Sequence, residues 1–287
     1  MTDAGSYPTN DLPPVGVGSF LDVDGVTLHA RRDGAWGAGD GRSPAPPLLY
    51  LHALGADLRV FDGVVARLPH HRHLRLDLRG HGLSDAPEGA YTVARLAQDA
   101  LRVLEAHGER RAVLVGVSVG GLVALRAALD RPDAVAGLVL SGTVARFGDE
   151  DTWHARIDTV REQGVAALAD STLLRWFPEA FREAHRPLID GMRNMLARTS
   201  RAGYAGTCAA LAAEDLRPRL SELGLRPLVV GGSEDLSTPP PLVRELAEAL
   251  PSARLEVIDD AGHLPMVDAP ARFAELLEAH LAEVGHA

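Results

Sequence analysis

The sequence predicts an α/β architecture: a mainly parallel eight-stranded sheet flanked by helices, with a helical block inserted after the sixth strand. Three features predict it. Six compact apolar runs of strand length recur along the chain, with helix-period stretches between them. A two-residue turn signal near the N-terminus adds a hairpin ahead of the first run. From about residue 144 to 217, only helical patterns occur.

Residues 1–18, rich in Pro, Gly and Asp, read as a loose N-terminal arm, and residues 19–287 as one domain. Residues 20–23 and 26–31 flank Asp24-Gly25, which suits a tight hairpin. Residues 33–46 form a Gly- and Pro-rich surface loop. The apolar runs follow at 47–52, 73–78, 112–116, 136–141, 227–231 and 254–259, and such runs suit strands buried on both faces. Residues 93–106 put Ala94, Leu96, Ala97, Ala100, Leu101 and Leu104 on one helical face. Further helices are expected at 122–129, 241–250 and 270–284, after the third, fifth and sixth runs. This alternation implies βαβ units and a parallel sheet, with the hairpin antiparallel at one edge. The block at 144–217, broken by Gly164, Pro178, Pro187 and Gly203, reads as a lid over the active face.

With 287 residues, 46% of them hydrophobic, the chain can build one large core. Its net charge of −10 lacks the positive footprint that nucleic acid or an anionic membrane would need, which leaves a small molecule as the expected ligand. The single cysteine, Cys208, excludes an internal disulfide and reads as packing within a helix. Residues 1–15 carry neither the basic nor the apolar segment of a signal peptide, and no apolar run approaches bilayer length. A cytoplasmic location is expected. Oligomeric state leaves no trace in the sequence.

The chemistry is expected at Gly116-Val117-Ser118-Val119-Gly120, a G-x-S-x-G pattern between a strand run and a helical pattern. A strand turning straight into a helix strains the serine backbone, and side chains beside it would clash. A serine hydroxyl needs a base. Of twelve histidines, His70, His71 and His73 cluster near the start of a strand and read as exposed, while His29 sits in the hairpin, His107 at a helix end, His280 in the last helix and His286 at the terminus. His263 lies in the loop after the sixth run, where ligands bind in a parallel sheet. Asp235, in the loop after the fifth run, is the carboxylate expected to orient it; Glu234 next door is the competitor, and Asp259 and Asp260 read as turn residues. The backbone amides of Val119 and Leu54 are the expected oxyanion donors, with Ala53 the alternative to Leu54. In the turn-rich loop at 77–85, His81 reads as structural.

Taken in order, LHALGAD, DLRGHGLSD, GVSVGG, GGSEDLSTPP and AGHLPMVDAP resemble the α/β-hydrolase superfamily across residues 20–285. Within the lid, SGTVARFGDEDTWHARIDTVREQGVAALADSTLLRWF (141–177) and AGYAGTCAAL (202–211) are similar to 3-oxoadipate enol-lactonases. The resemblance implies an α/β-hydrolase fold, hydrolysis of an enol-lactone from bacterial aromatic catabolism, and no metal or organic cofactor. It implies Ser118, Asp235 and His263 as the triad, and Leu54 and Val119 as the oxyanion donors. It places Trp153, Arg156 and Arg146 where the lid faces substrate, with Trp176 nearby; an arginine there would suit a substrate carboxylate. An ion pair of Arg156 with Asp158 or Glu150, and lid-core packing of Trp153 and Trp176, are the competing readings.

The family commonly has an Asn-Ser-Leu-Gly type stretch where this chain has His52-Ala53-Leu54-Gly55, so His52 is expected at the pocket edge as a modifier of substrate choice. The arm and the 33–46 loop are additions. A carboxylesterase, another lactonase or a cofactor-free perhydrolase would use the same triad; a ligand-binding module with little turnover is the alternative from another class.

Overall fold

The computed structural model describes residues 17–36 and 45–285. The expected arm up to residue 16, positions 37–44 of the expected surface loop, and His286 lie outside the described residues. The strands are β1 (Val17–Val23), β2 (Val26–Gly34), β3 (Leu48–Leu51), β4 (Arg72–Leu76), β5 (Ala112–Val117), β6 (Val135–Ser141), β7 (Leu228–Gly232) and β8 (Arg254–Ile258). They form one sheet in the order β1-β2-β4-β3-β5-β6-β7-β8. The β1–β2 hairpin turns at Asp24-Gly25, both at positive φ, and joins β4 antiparallel; every pairing from β4 to β8 is parallel.

The strands β3, β5 and β7 are buried along their whole length because helices cover both faces. On one side α2 (Val93–Ala106) and α3 (Val119–Asp130) pack together and onto β1, β3, β5 and β6. A second group joins α1 (Asp62–Val65), α10 (Pro265–Asp268) and α11 (Pro270–Glu283), while α9 (Pro240–Ala249) covers β7 and β8. No described helix is long and apolar enough to cross a membrane.

Buried charges interrupt the apolar pattern, Arg75 and Asp99 among them. Arg75, in β4, is 1% exposed, and its guanidinium meets Asp33 at 2.6 Å and Asp62 at the start of α1. Asp99 lies on the inner face of α2 because Arg79 donates to it at 2.7 and 2.8 Å. A lone buried charge would be costly, and these pairs offset that cost.

The block after β6 is helical: α4 (Glu150–Gln163), α5 (Ala169–Trp176), α6 (Glu179–Ala184), α7 (Arg186–Ala197) and α8 (Arg201–Ala213). Asp149 caps α4 by accepting from Thr152 N–H at 2.8 Å, and Gly164 at φ 83° ends it. The rear helix α8 meets the body of the protein glycine to glycine. A Cβ on Gly203 would lie 2.1 Å from the Gly80 carbonyl oxygen, and one on Gly80 would lie 2.4 Å from Gly203 Cα. Tyr91 N–H donates to Gly206 O at 3.0 Å along the same seam.

Candidate active site

The turn from β5 into α3 holds Ser118 at φ 57° and ψ −122°, a strained conformation for a residue with a side chain. The glycines around it are sterically required. A Cβ on Gly116 would fall 2.2 Å from Gly120 O, one on Gly120 would fall 2.1 Å from Leu51 O, and one on Gly121 would fall 2.7 Å from the Thr143 side chain. The same contacts press the start of α3 against the end of β3. The Val119 amide lies at the helix N-terminus, where the dipole favours negative charge, and the chain leaving β3 at His52 passes close to Gly120. Among the described residues neither Leu54 N–H nor Val119 N–H has a backbone acceptor.

Asp235 and His263 come together from the loops after β7 and β8. Asp235 Oδ2 lies 2.9 Å from His263 Nδ1. The carboxylate also accepts from Ser237 N–H at 2.7 Å, Thr238 N–H at 2.9 Å and Thr238 Oγ at 2.7 Å. Burial alone would raise its pKa, but the His263 charge and these donors outweigh burial and hold it below the usual carboxylate range. Glu234 is exposed and takes no part. Asp260 is a turn residue at φ 58°, its N–H on Ser233 Oγ at 2.9 Å.

Ser118 reaches the same neighbourhood through the end of β6. Its N–H donates to Ser141 O at 2.9 Å, and a Cβ on the next residue, Gly142, would meet His263 Nδ1 at 3.0 Å and Asp235 Oδ2 at 3.3 Å. The Ser118 hydroxyl has no hydrogen-bond partner among the described residues, whereas Asp235 and His263 Nδ1 are bonded to each other. Such serine–imidazole bonds are often long without ligand and tighten on binding. The site is closed: Ser118 is 9% exposed and His263 2%. A cleft of about 650 Å³ lies elsewhere, between α7 and the loops after β3 and β4, and none of the three residues lines it.

The helical block after β6 carries the expected aromatic and basic groups, of which Trp176 meets the imidazole. Trp176 is buried, stacks on the His263 ring with centroids 6.5 Å apart, and accepts His263 N–H at 2.8 Å through its carbonyl. Trp153 donates Nε1–H to Phe147 O at 2.7 Å and lies under the Arg156 guanidinium at 6.0 Å. Arg156 makes neither of the expected surface ion pairs. It donates to Tyr204 Oη at 2.9 Å and Thr172 Oγ1 at 3.1 Å. Arg146 ion-pairs with Asp215 at 3.4 Å instead of joining this group.

Residues 46–270 match the family described as alpha/beta hydrolase fold. The chain belongs to the α/β-hydrolase family. It is 31% identical over 240 residues to 3-oxoadipate enol-lactonase 2 of Acinetobacter baylyi, covering 83% of this chain and 90% of that protein. Among solved structures it superposes with TM-score 0.86 on the enol-lactonase from Burkholderia xenovorans LB400, at 34% identity over 92% of this chain and 100% of that one. A thermophilic esterase from Thermogutta terrifontis, described with malate bound, gives TM-score 0.84 at 27% identity over 94% and 98% of the two chains.

Within this hydrolase, three further positions depart from sequence expectation or escaped it. His52 is not at a pocket edge. It is fully buried, with Nδ1 on Ala53 O at 2.8 Å and Nε2 accepting Leu78 N–H at 2.9 Å, so it braces the loops after β3 and β4 in one tautomer. Burial lowers its pKa and keeps it neutral. His73 was expected to be exposed with His70 and His71, yet it is buried; it bonds Tyr50 Oη at 2.8 Å and Leu68 O at 2.7 Å because β4 begins under the core. Arg175 was not singled out. Its Nη2 lies 3.3 Å from Thr172 Oγ1, beside Arg156, and no ion pair with an acidic residue is formed by either among the described residues. Burial and then the Arg156 charge lower its pKa. Only the contact between helices α4 and α5 reveals this pair.

Proposed function

We propose that this hydrolase opens a small, carboxylate-bearing enol-lactone through an acyl-enzyme on Ser118. The observation that carries the substrate class is the guanidinium pair Arg156–Arg175, which share Thr172 and lack an acidic partner. Like charges held together in a closed lid are unfavourable alone, and a planar carboxylate relieves them with bidentate hydrogen bonds. Arg156 reaches Tyr204, whose ring abuts Gly55 next to the Leu54 amide, while the Arg175 carbonyl accepts Leu236 N–H beside Asp235. The enol-lactonase relatives and the malate-bound esterase support an anionic oxygen ester as substrate.

In this reading His263 accepts the Ser118 proton as the hydroxyl oxygen attacks the lactone carbonyl. Asp235 fixes the imidazole with its proton on Nδ1 and stabilises the imidazolium. The Leu54 and Val119 amides hold the oxyanion. Collapse breaks the acyl–oxygen bond of the ring, and the enol that leaves takes the proton from His263 and relaxes to a ketone. Water, activated by His263, then releases the acid and restores Ser118. The residues need no metal or cofactor for these steps.

The test is a substrate panel with purified protein: a muconolactone-derived enol-lactone, neutral lactones, an aryl acetate, and aryl acetate with peroxide. Preference for the anionic lactone, lost in Arg156→Ala, is expected. No hydrolysis of any member, with no label on Ser118 from a serine-directed phosphonate, overturns the enzyme reading. Preference for neutral esters unaffected by Arg156→Ala overturns the substrate reading alone.

A further inference from the structure

We propose that His70, His71 and Glu278 form a binding site for a divalent transition metal of the zinc type, at the end of the sheet opposite Ser118. The adjacent histidines end the turn before β4, and Glu278 projects from α11, so the three donors come from segments about two hundred residues apart in the chain. Their ligand atoms all lie within 4.8 Å of one another. His70 Nε2 is 3.2 Å from Glu278 Oε1, and His71 Nε2 is 2.8 Å from Glu278 Oε2.

These separations suit a metal. Zinc bonds of about 2.0–2.2 Å in a tetrahedron put neighbouring donor atoms roughly 3.3–3.5 Å apart, so small rotamer adjustments bring the three onto one ion. Imidazole and carboxylate together favour zinc, nickel or copper over magnesium or calcium. One carboxylate facing two Nε2 atoms is satisfied by two ring protons; a single cation replaces both and uses the nitrogen lone pairs.

The framework is partly rigid. His71 O accepts Ala35 N–H at 3.0 Å, and a Cβ on Gly34 would fall 2.0 Å from that oxygen. The entry path is open: the His70 and Glu278 side chains are 61% and 46% exposed, leaving room for water in the remaining positions. The strands β3, β4 and β5 run parallel in register, which puts this cluster at their N-terminal ends and Ser118 past their C-terminal ends. At about 3.3 Å per residue the two are roughly 20 Å apart. A metal here would staple α11 to the entry of β4 and leave the reacting groups untouched.

The experiment is calorimetric titration of the tag-free full chain with zinc chloride at pH 8 in a non-coordinating buffer. One equivalent is expected, with a Kd on the order of micromolar for three ligands, two exposed and His71 half-buried. At a hundredfold excess over Kd the melting temperature should rise by roughly 5 °C. Aryl acetate turnover should stay unchanged at one equivalent. The variants H71Q and E278Q should each weaken binding at least tenfold, with folding checked by their metal-free melting curves. Absence of saturable binding below about 1 mM overturns the proposal, and so does undiminished one-to-one binding in both variants. Because the readout is binding and melting, the result does not depend on which substrate the hydrolase takes.

Discussion

Replacing Asp235 by Asn tests the proposed triad most directly. Asp235 Oδ1 accepts two backbone N–H groups, while Oδ2 receives the Thr238 hydroxyl and His263 Nδ1. An asparagine keeps its oxygen on the two amides and therefore turns its NH₂ toward His263. The Thr238 hydroxyl can rotate to accept, but the imidazole must accept at Nδ1 and carry its proton on Nε2, facing Ser118. Restoring the active tautomer forfeits one hydrogen bond, about 1.5 kcal/mol. The imidazolium formed on attack also loses a carboxylate charge about 4 Å away, worth roughly 4 kcal/mol at an effective dielectric of 20. Together these reduce kcat about 10⁴-fold, the loss expected of a triad with the wrong tautomer. The assay is kcat for aryl acetate hydrolysis, with melting curves to confirm folding. Glu234→Gln, on an exposed neighbour, should stay within twofold. A loss below about 30-fold in Asp235→Asn, or an equal loss in Glu234→Gln, would refute the assigned role.

Arg175→Gln should lower kcat/KM for an anionic lactone roughly 10- to 150-fold, the worth of one hydrogen bond to a charged group, and leave aryl acetate within about threefold; equal losses on both would contradict carboxylate recognition. Burial lifts the Asp268 carboxyl to about 7, with Oδ2 on Gly262 N–H at 2.7 Å and Oδ1 buried without a partner. The folded chain thus keeps a proton that an unfolded Asp, with pKa about 3.9, releases, so stability falls as pH rises from about 4 to 7. Asp268→Asn, which retains the acceptor for Gly262, should raise the melting temperature by several degrees at pH 8 and leave it unchanged below pH 4; equal shifts at both would show that the proton is not responsible. Gly203→Ala should cost about 1–3 kcal/mol by overpacking against Gly80, read as a lower melting temperature with a raised KM.

The sequence disclosed those features that local chemistry controls. Asp24-Gly25 marked the hairpin, the apolar runs marked the parallel strands, and the glycines around Ser118 marked a turn that no larger residue fits. Strand edges moved by up to three residues, as at β2, which continues to Gly34. What stayed hidden depends on partners remote in the chain. Arg75 within an apolar run and Asp99 on the inner face of α2 make sense only with Asp33, Asp62 and Arg79 in place. His52 looks like a pocket group until the Leu78 amide is seen on its Nε2. Arg156 and Arg175 meet only because α4 and α5 both reach Thr172. Helical periodicity says which face of a lid helix is buried, but not which neighbour it is buried against.

The contact of Gly80 with Gly203 limits how this enzyme admits its substrate. Two backbones touching without side chains between them leave no slack, so α8 behaves as part of the wall. Under the proposed lid reading the gate lies in the forward helices, α4 to α7, whose Trp176 leans on the imidazole. Efforts to widen the range of esters accepted should therefore vary those helices, since even one methyl group on the rear hinge line would move the whole roof.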